Sequence, residues 1–534
     1  MYIAPNTTIK ILHGVPLDPT YDHTIYFASD SAQSTYFSGK AKFVLTAQSY
    51  QRVQRGYMRV EIQAESLYDC NYLMFQNTSF GTKWFYAFIK SVEYINNAVS
   101  QIEFEIDVMQ TWFFDYTLDA CFVEREHTLT DNLYENIVEE NLDLGDEAVC
   151  ISTETFDMNE MEICILAKRE NSWGGVGQSK VVNGIYTPLL IIAGFEPSDF
   201  AFIDSLIFTT MGLKEDDIVV IYQYPAKFGN GVNAQHEPND PPTTAKSYTK
   251  TITANTTQIQ GSTTGWKNKK LFSYPYNYLL VSNNNGQTAV YRWEDWNTNI
   301  SRGLFRIVGV MATTPAIMCY PQNYKGIGDP YDEGLVFSNF PQCAWPGDTF
   351  KAWWAQNKAS FVTSGISSVL GSVLAGAGAL TAATGNPVIG VAGAMVSGAS
   401  AIASHVARTE DLKETPPQTH GQTQTDSLNA GMGRMQFNFY KMTIKEQYAR
   451  IIDDYFSRYG YACKRTKVPN RNARPYWTYT KTQACTITPN VDQYGHGGLP
   501  ADDAVAICNI YNNGITFWTN GNNVGNYTLD NSPS

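Results

Sequence analysis

The sequence is poor in charged residues and contains no recognisable catalytic motif. Asp, Glu, Lys and Arg make up 17% of its 534 residues, and the formal net charge is −13. This acidic balance argues against an outer surface that binds nucleic acid in general, because it repels phosphate. No GxxxxGKS/T, HExxH, GxSxG or EF-hand pattern occurs, and the seven histidines are dispersed. We therefore predict no enzyme activity, no metal site and no cofactor.

Cysteine pairs at metal-ligand spacing are missing as well. The nine cysteines are scattered along the chain, and no CxxC occurs among them. An odd, dispersed set favours reduced and mostly buried thiols in a protein that is made in the cytoplasm. The first residues, MYIAPNTTIKIL, have neither a basic region nor an apolar run, so we expect no secretory signal.

Charge is wholly missing from residues 359–407, which lie between Lys358 and Arg408. The triplet Gly385, Asn386, Pro387 interrupts this stretch near its middle and is a turn signal. As helices, the segments on either side would be about 39 and about 30 Å long, enough to cross a bilayer core of about 30 Å. We therefore predict a helical hairpin that inserts into a membrane.

The large apolar side chains of this hairpin are the candidate membrane-inserting residues. They are Phe361, Val362, Ile366, Val369, Leu370, Val373, Leu374, Leu380, Val388, Ile389, Val391, Met395, Val396, Ile402 and Val406. Ala, Gly, Ser and Thr fill most other positions, which makes the segment a poor permanent anchor. It resembles a fusion peptide that stays sheltered until it is released. The alternative is an Ala/Gly-rich hairpin buried in a globular core, since apolar runs are ambiguous between core and membrane.

Four titratable residues lie where the apolar stretch ends. His405 is just inside it, and Glu410, Asp411 and Glu414 follow it on a polar tether. Protonation of the three acids would lower the free-energy cost of entering lipid, whereas a charged His405 would raise it. We predict that the acids dominate and that mild acid promotes insertion.

The composition, with 13% aromatic residues, favours β structure. Apolar and polar residues alternate over 58–64 and over 101–108, which predicts two half-buried strands. The second alternation places Glu103, Glu105 and Asp107 on one face. That face is either an ordinary solvated surface or an acidic lining that keeps DNA from sticking in a channel.

Several further elements are predicted from local patterns. An amphipathic helix is indicated by apolar residues at helical spacing, namely Tyr448, Ile451, Ile452, Tyr455 and Tyr459, with Gly460 just past its end. Asn513-Gly514 predicts a β-hairpin. Residues 228–268 read as a long loop or loose hairpin, and residues 197–211 suit a helix. The basic run from Lys464 to Arg474 suits either DNA or, as we favour, an acidic neighbouring subunit.

Short motifs at both ends of the chain resemble the tail knob, or distal tail tube, proteins of φ29-like short-tailed phages. The motifs are MFQN at 74–77, GTKWFYAF at 81–88, EY at 93–94, FEIDVMQTWFF at 104–114, REH at 125–127, YPY at 274–276 with Lys270-Leu271, YGYACKRTKVPN at 459–470, YNNGITFW at 511–518 and GNY at 525–527. They occur in the family's order. Residues 131–269 and most of 281–344 carry no such motif.

The resemblance implies a hexameric ring of β-barrel-like tube domains at the distal end of the virion tail. In such proteins long apolar loops plug the lumen, are expelled on infection, and insert into the host cytoplasmic membrane to form a channel for the genome. The implied partners are the other five copies, a proximal tail tube or collar protein, a tail-tip protein, genomic DNA in transit and the host membrane.

The expected fold is therefore mainly β with α+β insertions and one long apolar loop. We predict four regions: the N-terminal part of a tube domain at 1–130, a mixed α/β insertion at 131–344, the membrane-active loop at 345–433, and the C-terminal part of the tube domain at 434–534. Two other functions stay open, a tail-tip enzyme that degrades cell wall and an adhesin that binds the host surface.

Overall fold

The structure of the chain, a computed structural model, describes residues 6–48, 56–78, 81–169, 180–182, 185–187, 189–195, 218–229, 245–263, 265–296, 302–310, 315–338, 340, 342–343, 434–491 and 498–533. The apolar stretch at 359–407 and the tether after it lie outside these residues. So does the helix predicted at 197–211.

The part of the chain before residue 147 forms strands and two helices. The strands are β1 (Thr7–His13), β2 (His23–Ile25), β3 (Ala41–Gln48), β4 (Tyr57–Val60), β5 (Cys70–Asn77), β6 (Phe85–Asn96), β7 (Val99–Ile106), β8 (Tyr116–Leu118) and β9 (Cys121–Glu126). The helices are α1 (Asp30–Ser38) and α2 (Val108–Thr111). Ser29 caps α1 and Asp107 caps α2, each by a side-chain oxygen that accepts a backbone N–H of the first turn.

The middle of the chain is also built of strands where it is described. They are β10 (Ala148–Asp157), β11 (Met161–Arg169), β12 (Lys180–Val182), β13 (Ile185–Thr187), β14 (Leu189–Phe195), β15 (Ile218–Pro225), β16 (Ala245–Thr253), β17 (Asn277–Ser282), β18 (Thr288–Tyr291), β19 (Arg302–Val310), β20 (Ala316–Pro321), β21 (Leu335–Phe337), β22 (Gln342–Cys343) and β23 (Gln436–Ile444).

The last part of the chain contributes two longer helices. Its elements are α3 (Glu446–Tyr459), β24 (Tyr461–Lys467), β25 (Trp477–Gln483), β26 (Ile487–Pro489), α4 (Ala501–Asn513) and β27 (Ile515–Trp518). Short 3-10 turns are found at Ala64–Ser66, Lys269–Phe272, Trp293–Asp295, Tyr331–Glu333 and Gly521–Asn523.

The chain divides into two compact units that interrupt each other in sequence. Unit 1 comprises residues 1–147, 262–276 and 444–534, and unit 2 comprises residues 148–261 and 277–443. Both ends of the chain thus belong to one unit, together with the short segment at 262–276. The four regions drawn from the sequence stay a prediction.

The first sheet of unit 1 has the order β3-β1-β5-β6-β7-β4 and is antiparallel throughout. Neighbouring residues of one strand enter different apolar clusters, because side chains alternate across a sheet. Leu73 packs with Ile11 and Ile102 on one face, whereas Tyr72 packs with Phe37 of α1 on the other. Both faces of the sheet therefore carry a buried apolar cluster.

The second sheet of unit 1 joins the two ends of the chain. Its order is β2-β27-β25-β9-β24, with β2 and β27 parallel and the other pairs antiparallel. Helix α4 contributes Ile507 and Tyr511 to an apolar cluster that also contains Trp112 and Phe517.

Unit 2 contains three four-stranded sheets and a hairpin among its described residues. The sheet orders are β10-β23-β17-β18, β14-β11-β15-β22 and β16-β19-β20-β21, and the hairpin pairs β12 with β13. Aromatic rings fill the interior near β18 and β19, where Tyr291 and Trp296 pack on Phe305 and Tyr324 packs on both of them.

The mainly β architecture confirms the class expected from the sequence, and both alternating stretches contain strands, β4 and β7. Helix α3 lies where it was predicted, but its buried face is different. Ile451 is 68% exposed, and the residues that enter the interior are Ala449, Ile452, Asp453 and Phe456. The β-hairpin predicted at Asn513-Gly514 does not form. Helix α4 ends at Asn513 instead, and Gly514 connects it to β27. The predicted loop at 228–268 contains strand β16.

Candidate functional site

The candidate membrane-inserting residues between Phe361 and Val406, the turn at Gly385–Pro387, and the four titratable residues His405, Glu410, Asp411 and Glu414 all lie outside the described residues. In the part of the chain that the structure describes, no helix has the length and apolar character needed to cross a bilayer. The two described strands that flank this stretch are β22 and β23, and both belong to sheets of unit 2.

Two of the three candidate lumen acids lie on strand β7, and each has a polar partner. The carboxylate of Glu105 forms an ion pair with Lys90 at 2.6 Å, and both side chains are about half exposed. Glu103 accepts a hydrogen bond from Ser91 at 2.9 Å. It also raises the pKa of the neighbouring Tyr57 by its negative charge. The face is acidic and accessible, and it also carries two cations, Lys90 and Arg59, of which Arg59 donates to Gln101 on β7.

Asp107 does not share that face, which corrects the assignment made from the alternation. Strand β7 ends at Ile106, and the chain turns there into helix α2. Asp107 is 1% exposed and caps the helix by accepting the N–H of Gln110 at 3.0 Å. Its other oxygen accepts the hydroxyl of Tyr72 at 2.8 Å. Burial raises the pKa of this carboxyl to about 6, against the lowering effect of these hydrogen bonds.

The Asp107 cap belongs to a buried polar network around α2. The side-chain amide of Gln110 donates to Thr24 and to the carbonyl of Ile25, both at 2.8 Å. Gln33 of α1 donates in turn to the side-chain oxygen of Gln110 at 2.8 Å. Because these amides are buried, each bond removes a desolvation penalty and fixes α1 and β2 against the FEIDVMQTWFF motif.

The Arg-Glu-His motif at 125–127 lies at the end of β9, and each of its three side chains contacts a different set of residues. His127 is buried, and its Nδ1 accepts the N–H of Tyr479 at 2.8 Å. Its Nε2 lies 3.1 Å from the carbonyl of Ser457, at the end of α3. Burial, reinforced by the charge of Arg474, lowers the pKa of His127 to about 3. The ring is therefore neutral and joins β9 to β25 and α3.

Glu126 is fully buried beside β24. It pairs with Lys467, and it accepts the backbone N–H of Asn470 at 3.0 Å and the Asn470 side-chain amide at 3.2 Å. A buried carboxylate is stable only when its oxygens are hydrogen-bonded and its charge is paired. Both conditions are met here by the KRTKVPN part of the C-terminal motif.

Arg125 belongs to an ion cluster centred on Glu140. The two oxygens of Glu140 pair with Arg125 and with Lys270, and one of them also accepts the N–H of Ala462 at 3.1 Å. Arg125 further donates to the carbonyl of Gly460 at 2.7 Å. Lys270 is only 3% exposed, and burial lowers its pKa while Glu140 raises it. This cluster connects β9, the YPY segment and β24.

The 262–276 segment is held in unit 1 by a second acid, Asp453 of α3. Its carboxylate accepts the N–H groups of Lys267 and Asn268 at 3.1 and 3.0 Å and the Asn268 amide at 2.8 Å. The guanidinium of Arg450 lies 5.2 Å from the ring of Trp266. Trp266 and Lys270 therefore anchor this segment by their side chains, whereas the side chains of Lys267 and Lys269 are exposed.

The basic run at 464–474 is divided between the surface and the interior. Lys464 and Arg465 are exposed, whereas Lys467 pairs with Glu126 as described above. Arg471 lies over the ring of Phe113, 5.2 Å from its centre, and Arg474 is buried. Only the first two cations are thus available to a partner.

The closing GNY motif completes an aromatic cluster of unit 1. The ring of Tyr527 lies 5.2 Å from those of both Trp477 and Trp518, which are themselves 5.1 Å apart. His23 of β2 packs on Trp518 at 6.0 Å. The cluster joins β2, β27 and β25, three neighbouring strands of the second sheet, to the end of the chain.

These contacts bring the motifs of both chain ends into one unit. They form a polar and aromatic framework in which no nucleophile is paired with a base. In the described ranges, no cluster of His, Cys, Asp or Glu could hold a metal. Sequence reasoning found residues 125–127 but missed Glu140 and Asp453. Each is one of two adjacent acids, Glu139-Glu140 and Asp453-Asp454, in a stretch without a recognised motif, and only the fold shows which of them is buried and what it pairs with.

The chain matches two described families. Residues 241–532 match the family described as Bacillus phage phi29, Tail knob protein gp9, C-terminal domain, and residues 5–117 match Caudoviral major tail protein N-terminus. Tail knob protein gp9 of Bacillus phage phi29 is 24% identical over 98% of both chains, and that of Bacillus phage B103 is 26% identical over 98% of both.

A solved structure has the same fold. The bacteriophage C1 tail knob protein, gp12, superposes with a TM-score of 0.60 at 14% identity, over 98% of this chain and 99% of that one. The gp9 family match spans more than half of the sequence, and the second match adds a caudoviral tail domain at the other end. The protein therefore belongs to the family of the phi29 tail knob protein gp9, and it is a component of the virion tail.

Proposed function

We propose that six copies of this tail knob protein form the distal tail tube through which the genome is ejected. The apolar hairpin at 359–407 plugs the lumen before infection. On infection it leaves the lumen and enters the host cytoplasmic membrane, where the six hairpins surround a path for DNA. A proximal tail tube or collar protein and a tail-tip protein adjoin the ring, and its role is structural rather than enzymatic.

The observation that carries the proposal is the complete absence of charge over residues 359–407 in a chain of net charge −13. Its nearest described flanks are β22 and β23, whose sheets provide fixed points for a long projecting loop. One Gly-rich hairpin is a weak membrane span, but six that are held in a ring act together, because the effective concentration of each is raised by the others.

Unit 1 supplies what a conduit wall needs. The buried contacts of residues 125–127 join β9 to β24, to β25 and to the end of α3, so that the N-terminal and C-terminal motifs cannot separate without exposing buried ions. The accessible acids Glu103 and Glu105 suit a wall that repels phosphate and does not slow the passage of DNA.

Dye release from sealed lipid vesicles tests the proposal with the purified assembly. The wild-type assembly is compared with one in which a Ser/Gly sequence of equal length replaces residues 359–407. We expect ring-shaped particles from both by electron microscopy and dye release from the wild type alone. Intact vesicles under every trigger tried, or release by both proteins, would contradict the role given to the hairpin. Single subunits in the images would contradict the ring.

A further inference from the structure

Three cysteines from different elements of unit 1 lie in the same apolar cluster. Cys121 begins β9, Cys508 lies on α4, and Cys485 lies in the connection between β25 and β26. All three belong to the apolar cluster around Trp112, in which Cys121 and Cys485 are buried and Cys508 is partly exposed. The thiol of Cys485 is close enough to those of Cys121 and Cys508 for each pair to influence one another's pKa.

The backbone fixes Cys485 and Cys508 beside each other. The N–H of Cys485 donates to the side-chain oxygen of Asn512 at 3.0 Å, and Thr482 donates to the same oxygen at 2.9 Å. Asn512 follows Cys508 by four residues on α4, so both side chains lie on the same face of the helix. That face is therefore held against the β25–β26 connection, and Cys508 lies one helical turn from the side chain that binds the backbone of Cys485.

We propose that Cys485 and Cys508 are a redox-sensitive pair that forms a disulfide when the virion leaves the reducing cytoplasm. The bond joins α4 covalently to the connection between β25 and β26. The inference does not depend on the ring, the lumen or the membrane role proposed above. It needs only a tail protein that passes from a reducing to an oxidising medium.

The oxidant of this reaction is a peroxide. The thiolate of Cys508, the most accessible of the three, attacks the peroxide O–O bond, becomes a sulfenic acid and releases water. The sulfur of Cys485 then attacks that sulfenic sulfur, the S–O bond breaks, and a second water leaves as the S–S bond forms. Two thiols lose two electrons and two protons, and one hydrogen peroxide is reduced to two waters.

The surroundings favour a slow reaction, which suits a bond that forms only after assembly. Burial is the largest influence on both groups, and it raises the pKa of the Cys485 thiol and of the Cys508 thiol. Asp119 raises the pKa of Cys508 further by its charge. Since the thiolate is the reactive form, little of it is present at neutral pH.

Peptide mapping of the intact protein tests this pair. The purified full-length protein is reduced, treated with hydrogen peroxide, alkylated and digested without reductant. We expect a linked peptide that contains Cys485 and Cys508 and disappears on addition of dithiothreitol. The exposed Cys150 provides an internal control, because it is expected to be alkylated or oxidised to an acid without joining this pair.

Two variants make the result specific. Cys508→Ala changes a partly exposed position and is expected to remove the linked peptide, whereas Cys121→Ala is expected to keep it. Oxidation should also raise the unfolding temperature of the wild type and not that of Cys508→Ala, and dithiothreitol should reverse the increase. A folded wild type that oxidises only at Cys150, or that links Cys485 to Cys121 instead, would overturn the proposal.

Discussion

The N–H of Tyr479 donates to Nδ1 of His127 at 2.8 Å, although 352 residues separate the two in the sequence. The opposite ring nitrogen lies 3.1 Å from the carbonyl of Ser457. Since Nδ1 accepts, the ring carries its proton on Nε2 and donates it to that carbonyl. A second proton on the ring would remove the acceptor, so that the folded state requires neutral His127.

Acid should therefore destabilise the fold through His127. Its pKa is lowered to about 3 in the folded chain and is about 6.5 in an unfolded one, so the unfolded state binds the extra proton between these values. The free energy of unfolding should fall by up to about 1.4 kcal/mol per pH unit as the pH drops through this window. Urea titrations of wild type and His127→Asn at a series of pH values measure this contribution.

The asparagine side chain of that variant does not titrate, so the stability of the variant should depend less steeply on pH below about 6. At neutral pH the variant is expected to be less stable than the wild type, because it loses part of a buried network. Parallel pH profiles for the two proteins would show that His127 does not control this dependence.

The sequence predicted the motifs and many of the strands, but it did not predict which side chains pair with each other. Residues 125–127 were recognised as a motif, yet nothing local indicates that Glu126 pairs with a lysine 341 positions later. Glu140 was missed because it lies in an acid-rich stretch between the motifs, and such a stretch is typical of an exposed surface. Pairings of this kind depend on tertiary approach, which no spacing rule encodes.

Two local predictions were wrong for a physical reason. Periodicity placed Ile451 on the buried face of α3, but Asp453 occupies the interior because the N–H groups of Lys267 and Asn268 satisfy it. Asn-Gly at 513–514 reads as a hairpin turn, but the same pair also ends helices. Gly514 has a φ of +97° and its N–H closes α4 on Ile510.

Substitution of Glu140, at the centre of its ion cluster, should strongly lower the stability of the fold. Glu140→Ala leaves the buried Lys270 and the partly buried Arg125 without their shared anion, and we expect a loss of about 3–5 kcal/mol in the free energy of unfolding. Asp454→Ala is the matched control, since it breaks an exposed i,i+4 pair with Arg458 and should cost at most about 0.5 kcal/mol. Chemical denaturation compares them, and similar losses would contradict the importance of the cluster.

Gly460 should not tolerate a side chain. Its φ is +67°, and a Cβ at this position would overlap the carbonyl of Glu126. We expect Gly460→Ala to lower the free energy of unfolding by at least about 2 kcal/mol, from strain and from displacement of β9. Gly39→Ala at the end of α1 is the control, because its φ of −65° is ordinary and the nearest atom to a new Cβ is 3.4 Å away. Thermal unfolding of both variants measures the difference in stability. An equal effect of the two substitutions would contradict the prediction.

Asp107 should respond to pH in the direction opposite to His127. Burial raises its pKa from 3.8 to about 6, so between these values the folded state binds the additional proton. The stability linked to this carboxyl is then fully present below about pH 4 and is lost as the pH rises through about 6. Asp107→Asn keeps an oxygen for the N–H of Gln110 and cannot ionise.

We expect Asp107→Asn to raise the free energy of unfolding by about 1–3 kcal/mol at neutral pH and to have little effect near pH 4. Asp107→Ala loses the cap and the partner of Tyr72, and it should be destabilised by about 1–3 kcal/mol at both. Urea titrations of the two variants at both pH values separate the cap from the charge. A loss of stability in the Asn variant at neutral pH would contradict this interpretation.

The acids that follow the apolar hairpin should control the pH at which it enters lipid. Glu410, Asp411 and Glu414 are charged at neutral pH in water, and moving them into or near lipid is unfavourable until they are protonated. Vesicle leakage by the assembly should therefore increase from neutral to mildly acidic pH. With Glu410→Gln, Asp411→Asn and Glu414→Gln combined, leakage should already be high at neutral pH and nearly independent of pH. His405→Gln is the control for a cation at the same end, and it should leave the acid response in place or strengthen it. Because acid also weakens the fold through His127, circular dichroism at each pH must show intact β structure. A flat wild-type profile under those conditions would exclude the acids as the trigger.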